Sequence, residues 1–295
     1  MVAGSNPAIS AINNYNMKII KWVFKVIKNN FSKIPCIIKQ LNYNTRDIIT
    51  FNIRRDSIND GENNWEYRKD AIINMILDKK PSIICMQECM PHMWKYLYNT
   101  LKLYYGEYSI DTFNKKSLLY SKLFISEGIG ILFDIDKYKV FDRGYIKLHK
   151  GFGFDTKYWR MCQYIGFYNL ITNEKFYVFN THLEHKTRND RHNACKLIHN
   201  KIQEICKDYP VYICGDFNAE IAWNDNLEPL VYNYKCSLDK CVNKEIGTIN
   251  GFGNSKRINI DLCFYKNTEI DHSYILTNSY NSKYLSDHYP VMIEI

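Results

Sequence analysis

Along most of this chain, short runs of apolar residues alternate with segments whose apolar residues recur at helical spacing. Residues 47–52 and 211–214 form continuous apolar runs, which are typical of strands buried on both faces. Residues 65–77 and 189–206 place apolar side chains three or four positions apart, which predicts amphipathic helices. Further strands are predicted over residues 81–88, 129–133, 164–170, 175–180, 258–265 and 291–295, and another helix from residue 91. This alternation predicts a layered α/β domain over residues 44–295.

Polar side chains follow several apolar runs at the point where the predicted strand ends. The residues at these positions are Asn52, Glu88, His182, Asp216 and Asn218. Ligands of layered α/β proteins commonly bind at strand ends, where side chains leave the core and converge. We therefore predict a polar site at the carboxyl ends of these strands.

Three of the candidate residues offer the oxygen ligands that a hard cation prefers. Glu88 and Asp287 are carboxylates, and Asn52 has an amide oxygen. Mg²⁺ keeps several waters and takes only one or two carboxylates, so this set suits it. A solvated glutamate at a strand end is the alternative interpretation of Glu88 alone.

Two short motifs suit acid–base chemistry. In Gly215-Asp216-Phe217-Asn218, the glycine lets the backbone turn, and the acid and the amide can face one site from an extended chain. A carboxylate can then orient or deprotonate a water while an amide holds the electrophile; an Asx turn is the alternative. In Ser286-Asp287-His288, the histidine can donate a hydrogen bond or carry a proton, with Asp261 orienting its ring.

The order of these motifs along the chain is more specific than any one of them. The motifs are Thr50-Phe51-Asn52-Ile53-Arg54, Gln87-Glu88, Asn180-Thr181-His182-Leu183-Glu184-His185, Gly215-Asp216-Phe217-Asn218, Ile260-Asp261 and Ser286-Asp287-His288-Tyr289-Pro290. In this combination the chain resembles the endonuclease/exonuclease/phosphatase superfamily, with its DNase-I-like fold, over roughly residues 46–295. The resemblance implies a four-layer α/β/β/α sandwich that hydrolyses phosphoesters.

The resemblance also implies roles for particular positions. Residues matching Asn52 and Glu88 lie at the divalent metal, with Asp287 nearby, and the metal is Mg²⁺ with Mn²⁺ as an alternative. The positions implied in catalysis are Asp216, Asn218, His182, His288, Asp261 and Arg160.

Within the catalytic set, the implied roles differ. The match to Asp216 positions or activates the attacking water, and the match to Asn218 holds the water or the phosphate. Counterparts of His182 and His288 stabilise the phosphorane-like charge, and Asp261 braces His288. The arginine is implied as a phosphate contact, although its surroundings align more loosely than the others.

The fold alone does not choose among the chemistries that it hosts. Inositol phosphatases usually show a Pro-x-Trp-x-Asp-Arg block where this chain has Arg257-Ile258-Asn259-Ile260-Asp261-Leu262, which disfavours that branch. We predict a nuclease acting on DNA or RNA. A sphingomyelinase-like lipid phosphodiesterase is the second hypothesis, and a catalytically silent binding protein on the same fold is a third.

The basic character of the chain is concentrated in its N-terminal part. The formal net charge is +8, and residues 1–41 hold six lysines and no acid, which leaves +2 for the rest. The lysines of residues 18–28 recur at steps of three and four, which predicts a basic amphipathic helix in an extension over residues 1–41. Peripheral membrane contact through residues 18–34 is one hypothesis, and contact with nucleic-acid phosphates is another. A helix packed against the main domain, or a linker that orders only locally, is the alternative.

Ten cysteines are present, several inside apolar runs, and no Cys-x-x-Cys pair occurs. A reduced thiol in such a run behaves as a small hydrophobe, so a structural zinc site is disfavoured. We expect a monomer in a reducing, cytoplasmic compartment, membrane-associated if the N-terminal helix binds lipid.

Overall fold

The computed structural model describes residues 47–110, 127–148, 160–222 and 226–295. The predicted N-terminal extension and its helix lie outside these ranges and stay predictions. Among the described residues, no helix is both long and apolar enough to span a bilayer.

The first of two six-stranded sheets has the strand order β11-β12-β1-β2-β4-β3. Its strands are β1 (Ile48–Asn52), β2 (Ile83–Cys89), β3 (Tyr105–Ile110), β4 (Gly128–Asp134), β11 (His272–Ile275) and β12 (Val291–Glu294). Strands β1 and β2 run parallel, whereas β12 and β4, which flank them, are antiparallel to their neighbours. The carboxyl ends of β1 and β2 therefore lie at the same end of the sheet as the amino ends of β4 and β12.

The second sheet has the order β5-β6-β7-β8-β10-β9 and the same mixture of directions. Its strands are β5 (Tyr138–Lys147), β6 (Met161–Asn169), β7 (Lys175–His182), β8 (Val211–Asp216), β9 (Lys235–Cys236) and β10 (Asp261–Lys266). Strands β7 and β8 are parallel, and β10 runs antiparallel to β8.

Helices cover the outer face of each sheet. They are α1 (Trp65–Lys79), α2 (Pro91–Leu101), α3 (Arg188–Ile205) and the short α4 (Glu228–Val231). One apolar cluster joins α1 and α2 to the first sheet, a second joins α3 and α4 to the second sheet, and a third fills the space between the sheets. In β1, Ile48 packs between the sheets and Ile49 packs under the helices, so both faces are buried. The four-layer α/β/β/α sandwich is confirmed.

Several elements differ from the sequence-based expectation. Strands β3, β5, β9 and β11 were not predicted, and the strand expected over residues 258–265 begins only at Asp261. All four are edge strands, one at each side of the two sheets. Along β5, partly buried and exposed residues alternate after the buried Tyr138, so this strand lacks the continuous apolar run that identifies a central strand. The nine cysteines in the described residues are free, and eight of them are buried.

Candidate active site

A polar cleft with a cavity of about 300 Å³ lies at the carboxyl ends of the two parallel strand pairs, β1 with β2 and β7 with β8. Its lining residues are Arg54, Arg55, Glu88, Glu127, Arg160, His182, His185, Asp216, Asn218, Asp287 and His288. They come from the carboxyl ends of parallel strands and from the segments that precede antiparallel ones. Two adjacent sheets thus contribute to one site.

A glycine sets the distance between the two strands that carry the central histidine and aspartate. A Cβ on Gly215 would lie 2.1 Å from the carbonyl oxygen of Thr181, which is backbone and cannot rotate away. Glycine therefore lets β8 approach β7 closely, and the register then places His182 opposite Asp216.

Three cleft residues other than glycine adopt the left-handed backbone conformation. The φ angle is 54° at Arg54, 58° at Glu88 and 50° at Asn218. Residues with a Cβ rarely adopt this conformation, and surrounding structure must hold them in it. Each lies at or just beyond the end of a strand, where the unusual angle turns the chain and presents the polar residue to the cleft.

Asp216 is the most constrained carboxylate of the cleft. It is 1% exposed, and it accepts hydrogen bonds from Asn52 Nδ2 at 3.0 Å and from the Asn218 backbone N–H at 2.9 Å. Burial, followed by the charge of Asp261, raises the pKa of Asp216 to about 7. A carboxylate with this pKa can take up a proton near neutral pH, as a general base must.

The two histidines of the cleft have opposite electrostatic environments. Burial, then Arg160 and His288, holds the pKa of His182 well below its usual value, so its imidazole is neutral. Its Nε2 lies 3.5 Å from Asp216 Oδ2, and with a neutral ring this contact is not an ion pair.

His288 is the charged partner of the pair. Its Nδ1 lies 2.8 Å from Asp261 Oδ2. Burial alone would lower the pKa of His288, but Asp261, through charge and this hydrogen bond, and then Asp216 and Asp287 outweigh burial and raise it well above the ordinary value. The cleft therefore holds one neutral and one cationic imidazole.

A carboxylate that was not predicted contributes to the best candidate metal site. One oxygen each of Glu88 and Glu127 and one ring nitrogen of His182 all lie within 4.8 Å of one another. Glu88 accepts from Asn52 Nδ2 and from the Arg55 N–H, each at 3.1 Å, which fixes its orientation. Two carboxylates beside a neutral imidazole are a donor set that fits a divalent cation.

A second group of potential ligands fits a cation less well. Asp216, Asp261 and His288 also bring ligand atoms within 4.8 Å of one another. However, Asp261 and His288 bond to each other, and the side chain of Asp261 is fully buried. That contact engages one carboxylate oxygen of Asp261 and one ring nitrogen of His288.

Asn52 does not present its amide oxygen to the cleft in this structure. The oxygen accepts the Arg54 N–H at 3.0 Å, and Nδ2 instead bridges Glu88 and Asp216. A role as a metal ligand would require the amide to turn over, since nitrogen and oxygen would have to exchange places. The predicted ligand role of Asn52 stays a prediction, and its observed contact is with the two carboxylates.

Three guanidinium groups, those of Arg54, Arg55 and Arg160, line the cleft, and each lies beside a carboxylate. Arg54 pairs with both oxygens of Asp60 at 3.0 Å and lies 3.4 Å from Asp287 Oδ2. Arg55 pairs with Glu127 at 2.8 Å. Arg54 and Arg55 belong to a loop whose polarity is evident in the sequence, but neither was predicted as a site residue.

On the other side of the cleft, Arg160 lies 3.7 Å from Glu184 Oε2 and 3.5 Å from His185 Nδ1. Arg191, in α3, is buried, and it donates to the Glu184 carbonyl and to Asn226 Oδ1. These bonds tie the segment that follows His182 to α3.

Of the nine predicted site residues, seven line the cavity, namely Glu88, Arg160, His182, Asp216, Asn218, Asp287 and His288. The other two lie directly behind it, with Asn52 beneath the carboxylates and Asp261 behind His288. The structure therefore brings the whole set together, while the roles of its members stay predictions.

The sequence profile of the endonuclease/exonuclease/phosphatase family matches residues 49–288. The chain belongs to this family. No curated protein sequence matches it significantly. Family members are phosphoester hydrolases that typically depend on a divalent metal, and the acidic groups around Glu88 could hold one.

Solved structures share the fold over nearly their whole length. An endonuclease/exonuclease/phosphatase from Bacteroides vulgatus is 26% identical, with a TM-score of 0.74 over 85% of this chain and 98% of that one. A mannosyl-6-phosphatase from Bacteroides thetaiotaomicron is 24% identical, with a TM-score of 0.72 over 84% and 99%. TDP2 from D. rerio, complexed with a single-strand DNA product, is 17% identical, with a TM-score of 0.66 over 85% and 98%.

Proposed function

We propose that this chain is a Mg²⁺-dependent phosphodiesterase that hydrolyses nucleic acid by in-line attack of water. The observation that supports the proposal is the convergence of Asp216, His182 and His288 on one cleft, beside the carboxylate of Glu88. Phosphodiesters are inert in water, so cleavage needs a positioned nucleophile and neutralised charge in one place. This cleft provides groups for both.

Each residue has a role that follows from its contacts. Glu88, with Glu127 or Asp287, would hold Mg²⁺ or Mn²⁺, which would supply charge neutralisation at the phosphate oxygens. Asp216 orients the water and accepts its proton, since burial raises the pKa of this carboxyl to about 7. The cationic His288, braced by Asp261 at 2.8 Å, stabilises the negative charge that develops on the phosphoryl oxygens.

The remaining polar residues position the substrate. His182 is neutral, so it donates a hydrogen bond to a phosphoryl oxygen without adding charge. The amide of Asn218, whose Nδ2 donates to the Leu183 carbonyl at 2.9 Å, is fixed against β7 and presents its oxygen to the attacking water. Arg160 contacts the phosphate from the opposite wall.

Nucleic acid is the proposed substrate because several guanidiniums flank the catalytic group and can follow a polyanionic backbone. The fold shared with TDP2, whose structure holds a DNA product, is compatible with this choice. We further propose that the protein acts as a monomer in the cytoplasm, and that residues 18–34 add a peripheral membrane contact.

A second candidate function is hydrolysis of a small phosphomonoester, such as a sugar phosphate. The specific observation is the cleft itself, since every described lining residue is polar or charged and the cavity is only about 300 Å³. Its arginines suit the doubly charged end of a monoester. The mannosyl-6-phosphatase with the same fold gives this candidate a concrete substrate to test.

The test compares substrates under matched conditions. End-labelled single- and double-stranded DNA and RNA, mannose 6-phosphate and sphingomyelin would each be incubated with the full chain in Mg²⁺ or in EDTA. Asp216→Asn is the inactive control, and Asp136→Asn, which changes an exposed aspartate in the β4–β5 turn, is the matched surface control.

Mg²⁺-dependent cleavage of oligonucleotides by wild type and Asp136→Asn, but not by Asp216→Asn, is the expected result. Turnover confined to mannose 6-phosphate would replace the nuclease with the phosphomonoesterase. Turnover confined to sphingomyelin would instead support a lipid phosphodiesterase. Folded protein that hydrolyses none of these would contradict the proposal and favour a catalytically silent protein.

A further inference from the structure

One charged side chain beneath the cleft has no role in the chemistry proposed above. Arg68, in α1, is fully buried, and its guanidinium donates hydrogen bonds only to backbone carbonyls among the described residues. Nη1 donates to Ile53 at 2.7 Å and to Leu285 at 2.8 Å, Nη2 to Arg54 at 3.1 Å, and Nε to Asn63 at 2.6 Å. A single side chain thus joins three backbone segments, of which the one at Leu285 is far from the others in sequence.

Two of these segments lead directly into the cleft. The carbonyls of Ile53 and Arg54 precede the Arg55 N–H, which donates to Glu88 at 3.1 Å. The carbonyl of Leu285 precedes Ser286, which is followed by Asp287 and His288. The bonds of Arg68 therefore fix the backbone on both sides of the carboxylates and of the cationic histidine.

The first segment is also the strained one. Arg54 has a φ angle of 54°, which a residue with a Cβ adopts only when its surroundings hold it there. Arg68 bonds the carbonyl on each side of the Arg54 N–Cα–C unit, since it reaches both Ile53 and Arg54. Without these bonds, the segment has less to oppose its return to an ordinary backbone conformation.

We propose that Arg68 is a positioning residue that locks the Arg54–Arg55 segment and the Ser286–His288 segment into the geometry needed for phosphoester hydrolysis. Arginine suits this task because its planar guanidinium carries five donors in a fixed arrangement, whereas lysine has three donors on one atom. The cationic group is solvated by carbonyl dipoles in place of water, which compensates for its burial.

The test uses Arg68→Met and Arg68→Lys in the full chain, with Tyr105→Phe as the matched control. Tyr105 also donates from a buried side chain to a backbone carbonyl, that of Pro81 at 2.8 Å. This bond lies at the end of the first sheet that faces away from the cleft. Melting temperature, hydrogen–deuterium exchange of peptides covering residues 53–57 and 284–289, and the steady-state kcat and KM would be measured for each variant.

Arg68→Met is expected to increase exchange in both active-site peptides and to lower kcat by on the order of 10-fold or more, with KM little changed. Arg68→Lys should recover part of both effects, and Tyr105→Phe should lower the melting temperature without either. Faster exchange confined to α1, or kcat unchanged in a folded Arg68→Met, would overturn the proposal. Failure of both Arg68 variants to fold would assign Arg68 to folding and overturn it as well.

The kinetic part rests on the proposed function, whereas the exchange part does not. If wild type hydrolyses none of the substrates, the exchange of the two peptides still decides whether Arg68 holds them. Failure of the function and failure of the positioning role are therefore distinguishable.

Discussion

Replacing Asp216 with asparagine should abolish most activity and at the same time stabilise the fold at alkaline pH. The substitution keeps the size of the side chain and an oxygen to accept the Asn218 N–H, but it removes the charge and the basic oxygen. Loss of a positioned general base typically lowers turnover by about 10²–10⁴-fold. We expect kcat of Asp216→Asn to fall in that range.

The stability change follows from the cost of ionising a buried carboxyl. The pKa of Asp216 is raised from 3.8 to about 7, chiefly by burial, and this difference corresponds to about 4 kcal/mol. Because the folded state binds the proton more tightly than the unfolded state, this group makes wild type progressively less stable from about pH 4 to pH 7, with no further loss above pH 7. Asparagine has no such dependence.

The assay is thermal or urea unfolding of both proteins in EDTA between pH 4 and pH 8. The stability difference in favour of Asp216→Asn should grow from about pH 4 to pH 7 and then level off, at an upper limit of about 4 kcal/mol, or roughly 10 °C in melting temperature for a domain of this size. A difference that does not change with pH would refute the buried-charge argument. Near-wild-type turnover in Asp216→Asn would refute its role as the base.

Three further predictions concern the same cleft. Glu88→Gln should raise the Mg²⁺ concentration that gives half-maximal activity by at least about 10-fold, measured by metal titration, because it removes a carboxylate ligand. His288→Ala should lose on the order of 10²–10³ in kcat while circular dichroism shows an intact fold, because a cation facing the phosphoryl group is lost. Gly215→Ala should destabilise the fold by about 1–3 kcal/mol in urea unfolding and lower kcat, since its Cβ would lie 2.1 Å from the Thr181 carbonyl oxygen.

Each of these predictions has a result that contradicts it. An unchanged Mg²⁺ titration in Glu88→Gln would move the metal site to other carboxylates. Full activity of His288→Ala would remove the histidine from the charge-stabilising set. A Gly215→Ala protein with wild-type stability would show that β7 and β8 can separate without cost. Gly144→Ala, a change in β5, serves as a control for a side-chain clash, because the three atoms nearest to its added Cβ, the closest at 2.4 Å, all belong to the Tyr164 side chain and not to backbone.

Strand-end reasoning from the sequence succeeded where the strands are parallel and failed where they are antiparallel. Asn52, Glu88, His182 and Asp216 end the parallel strands β1, β2, β7 and β8, so each follows an apolar run and is easy to locate. Glu127 precedes β4, which is antiparallel to β2, and the rule of polar residues after apolar runs therefore missed it.

The search for polar residues after apolar runs also does not locate Asp261, Asp287 and His288. They start or precede the antiparallel strands β10 and β12, so strand ends did not locate them; the chemistry of Ser286-Asp287-His288 and the order of family motifs did. A polar residue before an apolar run deserves equal weight once antiparallel neighbours are expected. Arg68 left no comparable signal, because a charged residue in a helix pattern predicts exposure, and its burial depends on carbonyls distant in sequence.

The two histidines of the cleft differ in charge, and the charge of each depends on the groups that surround its ring. Asp261 is buried against His288 and keeps it cationic, whereas Arg160 and His288 itself keep His182 neutral. Two cationic imidazoles in so small a space would repel each other and compete with a bound metal for the same carboxylates. With only one of them charged, His288 can meet the phosphoryl group as a cation while His182 remains free to donate a hydrogen bond or to join Glu88 and Glu127 around a cation.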